Sequence, residues 1–133
     1  MSSRRAALQA FAALLLSACE STLARVRGLK VVPITSTDNV PPGGAFRTRH
    51  GDEPIIVVND DGTVRTFLAV CTHEGCPLGW NPAQRLIRCP CHGSAFDTHG
   101  RVVNGPAKLP LTEFETIVER GEISIVDPRR ESR

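Results

Sequence analysis

The chain has 133 residues, sixteen Lys and Arg against fourteen Asp and Glu, five cysteines and no tyrosine. That length suits one compact domain and leaves no comfortable space for a second. The charges nearly balance and the arginines are scattered, which excludes the basic footprint of a nucleic-acid-binding protein. An odd number of cysteines leaves one over after any pairing.

The chain opens "MSSRRAALQAFAALLLSAC", with a short basic start, an apolar run from about Ala6 to Ala18 and small residues before Cys19. An apolar core of this length is the anatomy of an export signal and falls short of the roughly 20 apolar residues of a spanning helix. "SRRAAL", Ser3 to Leu8, resembles the twin-arginine export motif, with Ala7 where that motif prefers Phe and Gln9 where it prefers Lys. "LSAC", Leu16 to Cys19, resembles the lipobox of bacterial lipoproteins, which implies a lipidated Cys19. Residues 1–18 are therefore read as a signal peptide and residues 19–30 as a lipidated cysteine with a short polar tether. The expected product is exported and held on the periplasmic side by its lipid. Losing Arg4 and Arg5 with the signal makes the two signs of charge equal.

"LKVVPIT", Leu29 to Thr35, reads as a first strand and "STDNVPPGG", Ser36 to Gly44, as a turn-rich loop. "PIIVV" (Pro54 to Val58) and "TVRTFLAV" (Thr63 to Val70) flank "NDDG", which predicts a hairpin with an Asp-Gly turn. A second hairpin, "FETIVE" and "EISIV", is expected around Arg120-Gly121. Phe46, Phe67 and Phe114 are core candidates. His50 and His99, in "RTRHGDE" and "FDTHGR", are expected to be solvated, and Trp80 to form a lid over the loops that follow. From Cys71 to about Lys108 the strand period lapses, and a long irregular segment in a compact domain is often functional.

That segment holds every candidate ligand: Cys71, His73 and Cys76 in "CTHEGC", then Cys89, Cys91 and His92 in "CPCHGSAF". Read as ligands, each loop supplies one thiolate and one imidazole, Cys71 with His73 and Cys89 with His92. Thiolate suits iron–sulfur chemistry, and imidazole is borderline and can lose a proton. Cys76 and Cys91 would then remain, and a disulfide between them suits an oxidising compartment. Two other readings stay open on the residues alone. A Cys2His2 set could hold zinc tetrahedrally, although the alternation of types within each loop differs from the usual paired knuckles. Two disulfides among the four loop cysteines would leave the histidines unexplained.

"CTHEGC", "CPCHGSAFD" and "GPAKLPL" together resemble a Rieske iron–sulfur protein of the subgroup that carries a disulfide. The resemblance spans residues 31–126, with a cluster-binding part at about 70–108 and a polar tail at 127–133. It implies an all-β fold, a Rieske-like antiparallel β sandwich with an inserted cluster-binding subdomain. It implies one [2Fe–2S] cluster with Cys71 and Cys89 on one iron and His73 and His92 on the other, a Cys76–Cys91 disulfide, and Gly105, Pro106 and Ala107 as a proline loop over the cluster. Asp97 and Gly100 resemble the family's turn after the second loop.

High-potential members, which oxidise quinols, aim a Ser and a Tyr hydroxyl at cluster and ligand sulfurs. Ser94 matches the first and Phe96 stands in place of the second, which implies an intermediate potential. Those members also carry Leu where this chain has Glu74, and a carboxylate there suits a positively charged protein partner better than a quinone pocket. The implied function is one-electron transfer to or from a redox partner protein, cytochrome-like or an oxidoreductase subunit, with quinol as the further candidate and no substrate chemistry in this chain. The alternative is an electron-transfer subunit of a larger oxidoreductase, of cytochrome bc-type or periplasmic arsenite-oxidase-like kind. Twin-arginine export carries folded proteins, which suits a cluster assembled before crossing.

Overall fold

The computed structural model describes residues 28–128. The signal-like segment and Cys19 lie outside the described residues, as do the last five positions. Eleven strands are described: β1 (Lys30–Ser36), β2 (Ala45–His50), β3 (Glu53–Asp60), β4 (Thr63–Leu68), β5 (Gly79–Asn81), β6 (Leu86–Arg88), β7 (Ala95–Phe96), β8 (Val102–Asn104), β9 (Glu113–Phe114), β10 (Thr116–Glu119) and β11 (Glu122–Asp127). Among the described residues the one helical turn is a 3-10 turn at Thr37–Asn39, capped by Ser36 Oγ, which accepts the Asp38 N–H at 3.2 Å. No described helix is long and apolar enough to cross a membrane.

β3 organises the fold because its "IIVV" run is buried on both faces. Side chains alternate across a strand, so Ile55 and Val57 point one way and Ile56 and Val58 the other, all four fully buried. The first pair packs with Val40, Ile123 and Ile125 and is flanked by Val32, Ile34, Phe46, Val64 and Phe114. The second packs with Phe67, Ala69, Leu78, Ile87, Phe96, Ala107 and Leu111, and with Cys71 and Cys89. β3 is thus the wall shared by two cores.

Three antiparallel sheets follow from this. One has the order β1-β11-β10, a second β2-β3-β4-β9, and a third, of very short strands, β5-β6-β7-β8. The third, β5 to β8, is inserted between β4 and β9, so the expected all-β base with an inserted subdomain is what the chain builds. Both expected hairpins are present, with Asp60 opposite Thr63 and Glu119 opposite Glu122. Their central residues Asp61, Gly62, Arg120 and Gly121 all have positive φ, as type I′ turns require.

"AFRTRH", to which the sequence reading assigns no element, is a strand, with Arg47 and Arg49 exposed and Thr48 between them partly buried. Three sequence expectations change. β1 and β11 each run one residue beyond the expected 31–126, and Asp127 is buried rather than part of a polar tail. His50 is not solvated: its Nε2 lies 2.9 Å from Asp127 Oδ2 with only 16% of the side chain exposed, joining the end of β2 to the end of β11. The segment 71–108 is not without strands, since β5 to β8 lie inside it. His99 is exposed as expected. Of the three phenylalanines, Phe67 is fully buried and Phe46 and Phe114 are half-buried on the other core.

Candidate metal centre

Two loops leave the wall side by side, one after β4 and one after β6, and they share a backbone plan. The Gly75 N–H donates to the Cys71 carbonyl at 2.9 Å, and the Gly93 N–H donates to the Cys89 carbonyl at 3.2 Å. Each loop therefore turns back on its own cysteine over four residues, and both glycines sit at positive φ, which a side chain would strain. The Cys71 N–H donates to the Cys76 carbonyl and the Cys89 N–H to the Ser94 carbonyl, both at 2.8 Å, closing each loop at its base.

This plan sorts the side chains by depth. Cys71 and Cys89 are free thiols, 2% and 3% exposed, set into the core beneath the loops. His73 and His92 are exposed at the tips, with ring centroids 5.0 Å apart and planes at 88°. Cys76 and Cys91 form a disulfide that joins the loops, with Cα atoms 6.5 Å apart. Glu74 is exposed beside the opposite loop, its Oε2 3.6 Å from His92 Nδ1.

A third segment, 104–109, is stitched to both loops. Ser94 is fully buried, and its Oγ accepts the Ala107 N–H at 3.0 Å. Asn104 Nδ2 donates to the Gly93 carbonyl at 3.1 Å, and Thr72 Oγ1 donates to the Leu109 carbonyl at 2.7 Å. Gly105 and Pro106, expected over the cluster, are exposed on this segment. Phe96 is fully buried in the core that contains both free cysteines. Trp80, expected as a lid over the loops, is half-buried on β5, packs against the core that holds Cys71 and Cys89, and lines a groove of about 650 Å³ with Pro77, Cys89, Pro90 and Gly93.

Thr72 and Asn104 are clamps that the ligand arithmetic passed over. Their only sequence signal is adjacency to the motifs, Thr72 between two donors and Asn104 just before "GPA". A further clamp joins the insertion to the base. Arg85, in the β5–β6 turn, pairs with Asp60 at 2.5 Å and Asp61 at 2.9 Å, and Thr98 Oγ1 donates to Asp60 Oδ2 at 2.8 Å. Asp97 and Gly100 stand in the turn after β7, where Asp97 pairs with Arg101 at 2.9 Å. Burial pushes the Asp97 carboxyl up, but the Arg101 and His99 N–H groups and the Arg101 guanidinium outweigh this and hold it below its ordinary value. Gly100, in the same turn, is required for space, since a Cβ there would lie 2.7 Å from the Phe67 ring.

The donor chemistry distinguishes the open readings. A single tetrahedral zinc needs four donors converging on one point at about 2.0–2.3 Å. Among the described residues, no three of Cys71, His73, Cys89 and His92 gather within 4.8 Å; the groups that do are His73 with Glu74 and His92, and Cys76 with Cys89 and Cys91. Two buried thiols below and two exposed imidazoles above therefore fit a two-metal group with a sulfur side and a nitrogen side. The reading with two disulfides is set aside by the free Cys71 and Cys89.

Comparison with known proteins agrees with this geometry. The chain is 32% identical over 101 residues to the cytochrome b6-f complex iron-sulfur subunit of Chlorobaculum tepidum, which covers 76% of this chain and 56% of that protein. It is 42% identical over 90 residues to the chloroplastic cytochrome b6-f complex iron-sulfur subunit 1 of Nicotiana tabacum, which covers 65% of this chain and 40% of that one. The chain thus spans about half the length of these relatives. Among solved structures, the plasma membrane Rieske protein PetC3 of Synechocystis PCC 6803 matches with a TM-score of 0.64 and 30% identity, over 72% of this chain and 98% of that one. The Rieske [2Fe-2S] domain profile matches residues 30–115. With that match over most of the described residues, the chain belongs to the Rieske [2Fe–2S] domain family and binds one [2Fe–2S] cluster.

Proposed function

We propose that this protein is a one-electron carrier in which Cys71 and Cys89 hold one iron and His73 and His92 the other. The observation that carries the reading is the pair of facing, disulfide-joined loops with buried thiols beneath and exposed imidazoles above. When bound, the cluster stores and releases single electrons, and Rieske centres as a class span about −150 to +300 mV.

The chain's own residues decide access and tuning. Core packing around Cys71 and Cys89 keeps water from the sulfur side, while His73 and His92 reach the surface and serve as the port for electrons and protons. The Ser94 oxygen already accepts from Ala107, so its proton is left to donate to a sulfur. Phe96 offers no hydroxyl, and the potential is expected at an intermediate height. Glu74 places a carboxylate beside the histidine tips, which favours a positively charged partner protein. The N-terminal segment supports export and a lipid anchor at Cys19. A second reading, a subunit of a quinol-oxidising complex, is favoured by the likeness to cytochrome b6-f iron-sulfur subunits.

The test is the reduction potential of the purified chain from Glu20 onward, followed across pH. The expected result is a one-electron wave, flat at low pH and falling in alkali, because an imidazole holding an oxidised metal gives up its remaining proton more readily. A potential near the top of the class range would support the quinol-linked reading. No wave from intact, iron-loaded protein would overturn the electron-transfer proposal.

A further inference from the structure

Three sulfur atoms crowd one corner of the site. The Sγ atoms of Cys76, Cys89 and Cys91 all lie within 4.8 Å of one another, and two of them are the disulfide. The third belongs to a free thiol. Cys71, the other free thiol, is outside this group. A thiol held this close to a disulfide is placed for exchange, which proceeds by thiolate attack on one sulfur with departure of the other.

We infer that Cys89 is a built-in nucleophile toward the Cys76–Cys91 disulfide, and that the cluster-free chain rearranges to a Cys76–Cys89 disulfide. Cys89 loses its proton and its sulfur attacks Cys76 Sγ. The Cys76–Cys89 bond forms as the Cys76–Cys91 bond breaks, and Cys91 departs as the thiolate and takes up the proton. One disulfide and one thiol are present before and after, so no oxidant is consumed. Cys91 is the better leaving group because it is exposed and its thiolate is solvated, whereas Cys76 is half-buried. The other product, a Cys89–Cys91 bridge, would close a small ring across Pro90, whose fixed φ limits the backbone adjustment such a ring needs.

The consequence is an order of assembly. An iron on Cys89 removes the nucleophile, so a loaded chain keeps its disulfide; a chain oxidised before loading loses a ligand sulfur to a bridge. Only this protection rests on the ligand assignment proposed above, while the exchange itself rests on the sulfur geometry.

The experiment strips iron from the loaded protein with a chelator under anaerobic conditions. Free thiols are then alkylated at intervals and located by peptide mass spectrometry, beside a loaded control. Expected is a label that begins on Cys71 and Cys89 and moves from Cys89 to Cys91 while Cys71 stays labelled. In variants of Cys89 and Cys71, isolated already free of the cluster and followed in the same way, Cys89→Ser should leave Cys91 unlabelled and Cys71→Ser should preserve the movement. A label that stays on Cys89 in stripped, folded protein overturns the inference, as does scrambling that draws Cys71 into disulfides. Exchange at equal rate in the loaded control would leave the geometry standing and break the ligand assignment of Cys89.

Discussion

On one side of β3, Ile55 and Val57 meet Ile123, Ile125 and Val40 in a wholly apolar core. On the other, Ile56 and Val58 meet Phe67, Phe96 and two free cysteines. Beyond that layer, order is carried by the disulfide, by backbone bonds around Gly75 and Gly93, and by the clamps of Ser94, Thr72 and Asn104. The base is held by burial, which is non-directional and tolerant. The tip is held by directional bonds, which fix a few donors in place at the expense of apolar contact. Because the two imidazoles are exposed rather than buried, covalent and hydrogen-bonded staples replace the missing core at the tip.

The comparison is tested most strongly at β3 itself. Ile55→Ala and Ile56→Ala should each cost about 2–5 kcal/mol in denaturant unfolding. Only Ile56→Ala should also hasten loss of visible absorbance to a chelator; equal loss from both would erase the distinction between the two faces. Next, Cys76→Ser combined with Cys91→Ser removes the staple across 15 residues and should cost about 3 kcal/mol, with cluster release accelerated more than base unfolding.

Ser94→Ala leaves the buried Ala107 N–H without its acceptor, which should cost about 1–3 kcal/mol. It should also lower the reduction potential, and an unchanged potential would confine Ser94 to clamping the 104–109 segment. Phe96→Tyr should raise the potential by roughly 40 mV, the one-electron equivalent of a hydrogen bond worth about 1 kcal/mol; a fall would sink the tuning proposed for that position.

The smallest effect is at Asp97. Its folded carboxyl titrates below the ordinary value, so its contribution is present above about pH 4 and fades as pH falls through the lower folded value. Arg101 is largely exposed, so solvent screening keeps the effect of Asp97→Asn at pH 7 to within about 1 kcal/mol. The variant's stability should fall less steeply in acid, and identical acid profiles would show the pair to be decorative.

What the sequence determined by itself is local. Asp61-Gly62 and Arg120-Gly121 announce their hairpins because a glycine readily supplies the positive φ that tight hairpin turns need. The doubly buried strand is legible in "PIIVV" because four consecutive β-branched residues leave no polar face. The paired loops are legible because donors two and three residues from a cysteine are close wherever the chain goes. The tertiary structure alone decided the rest. β5 to β8 are two or three residues long, too short to show a period, and exist only because neighbours supply their hydrogen-bond partners. His50 finds Asp127 across 77 positions, Thr72 finds Leu109 across 37, and Glu74 comes to stand beside the histidine of the opposite loop. Each of these pairings depends on how two distant segments are packed, and no local propensity or spacing encodes it.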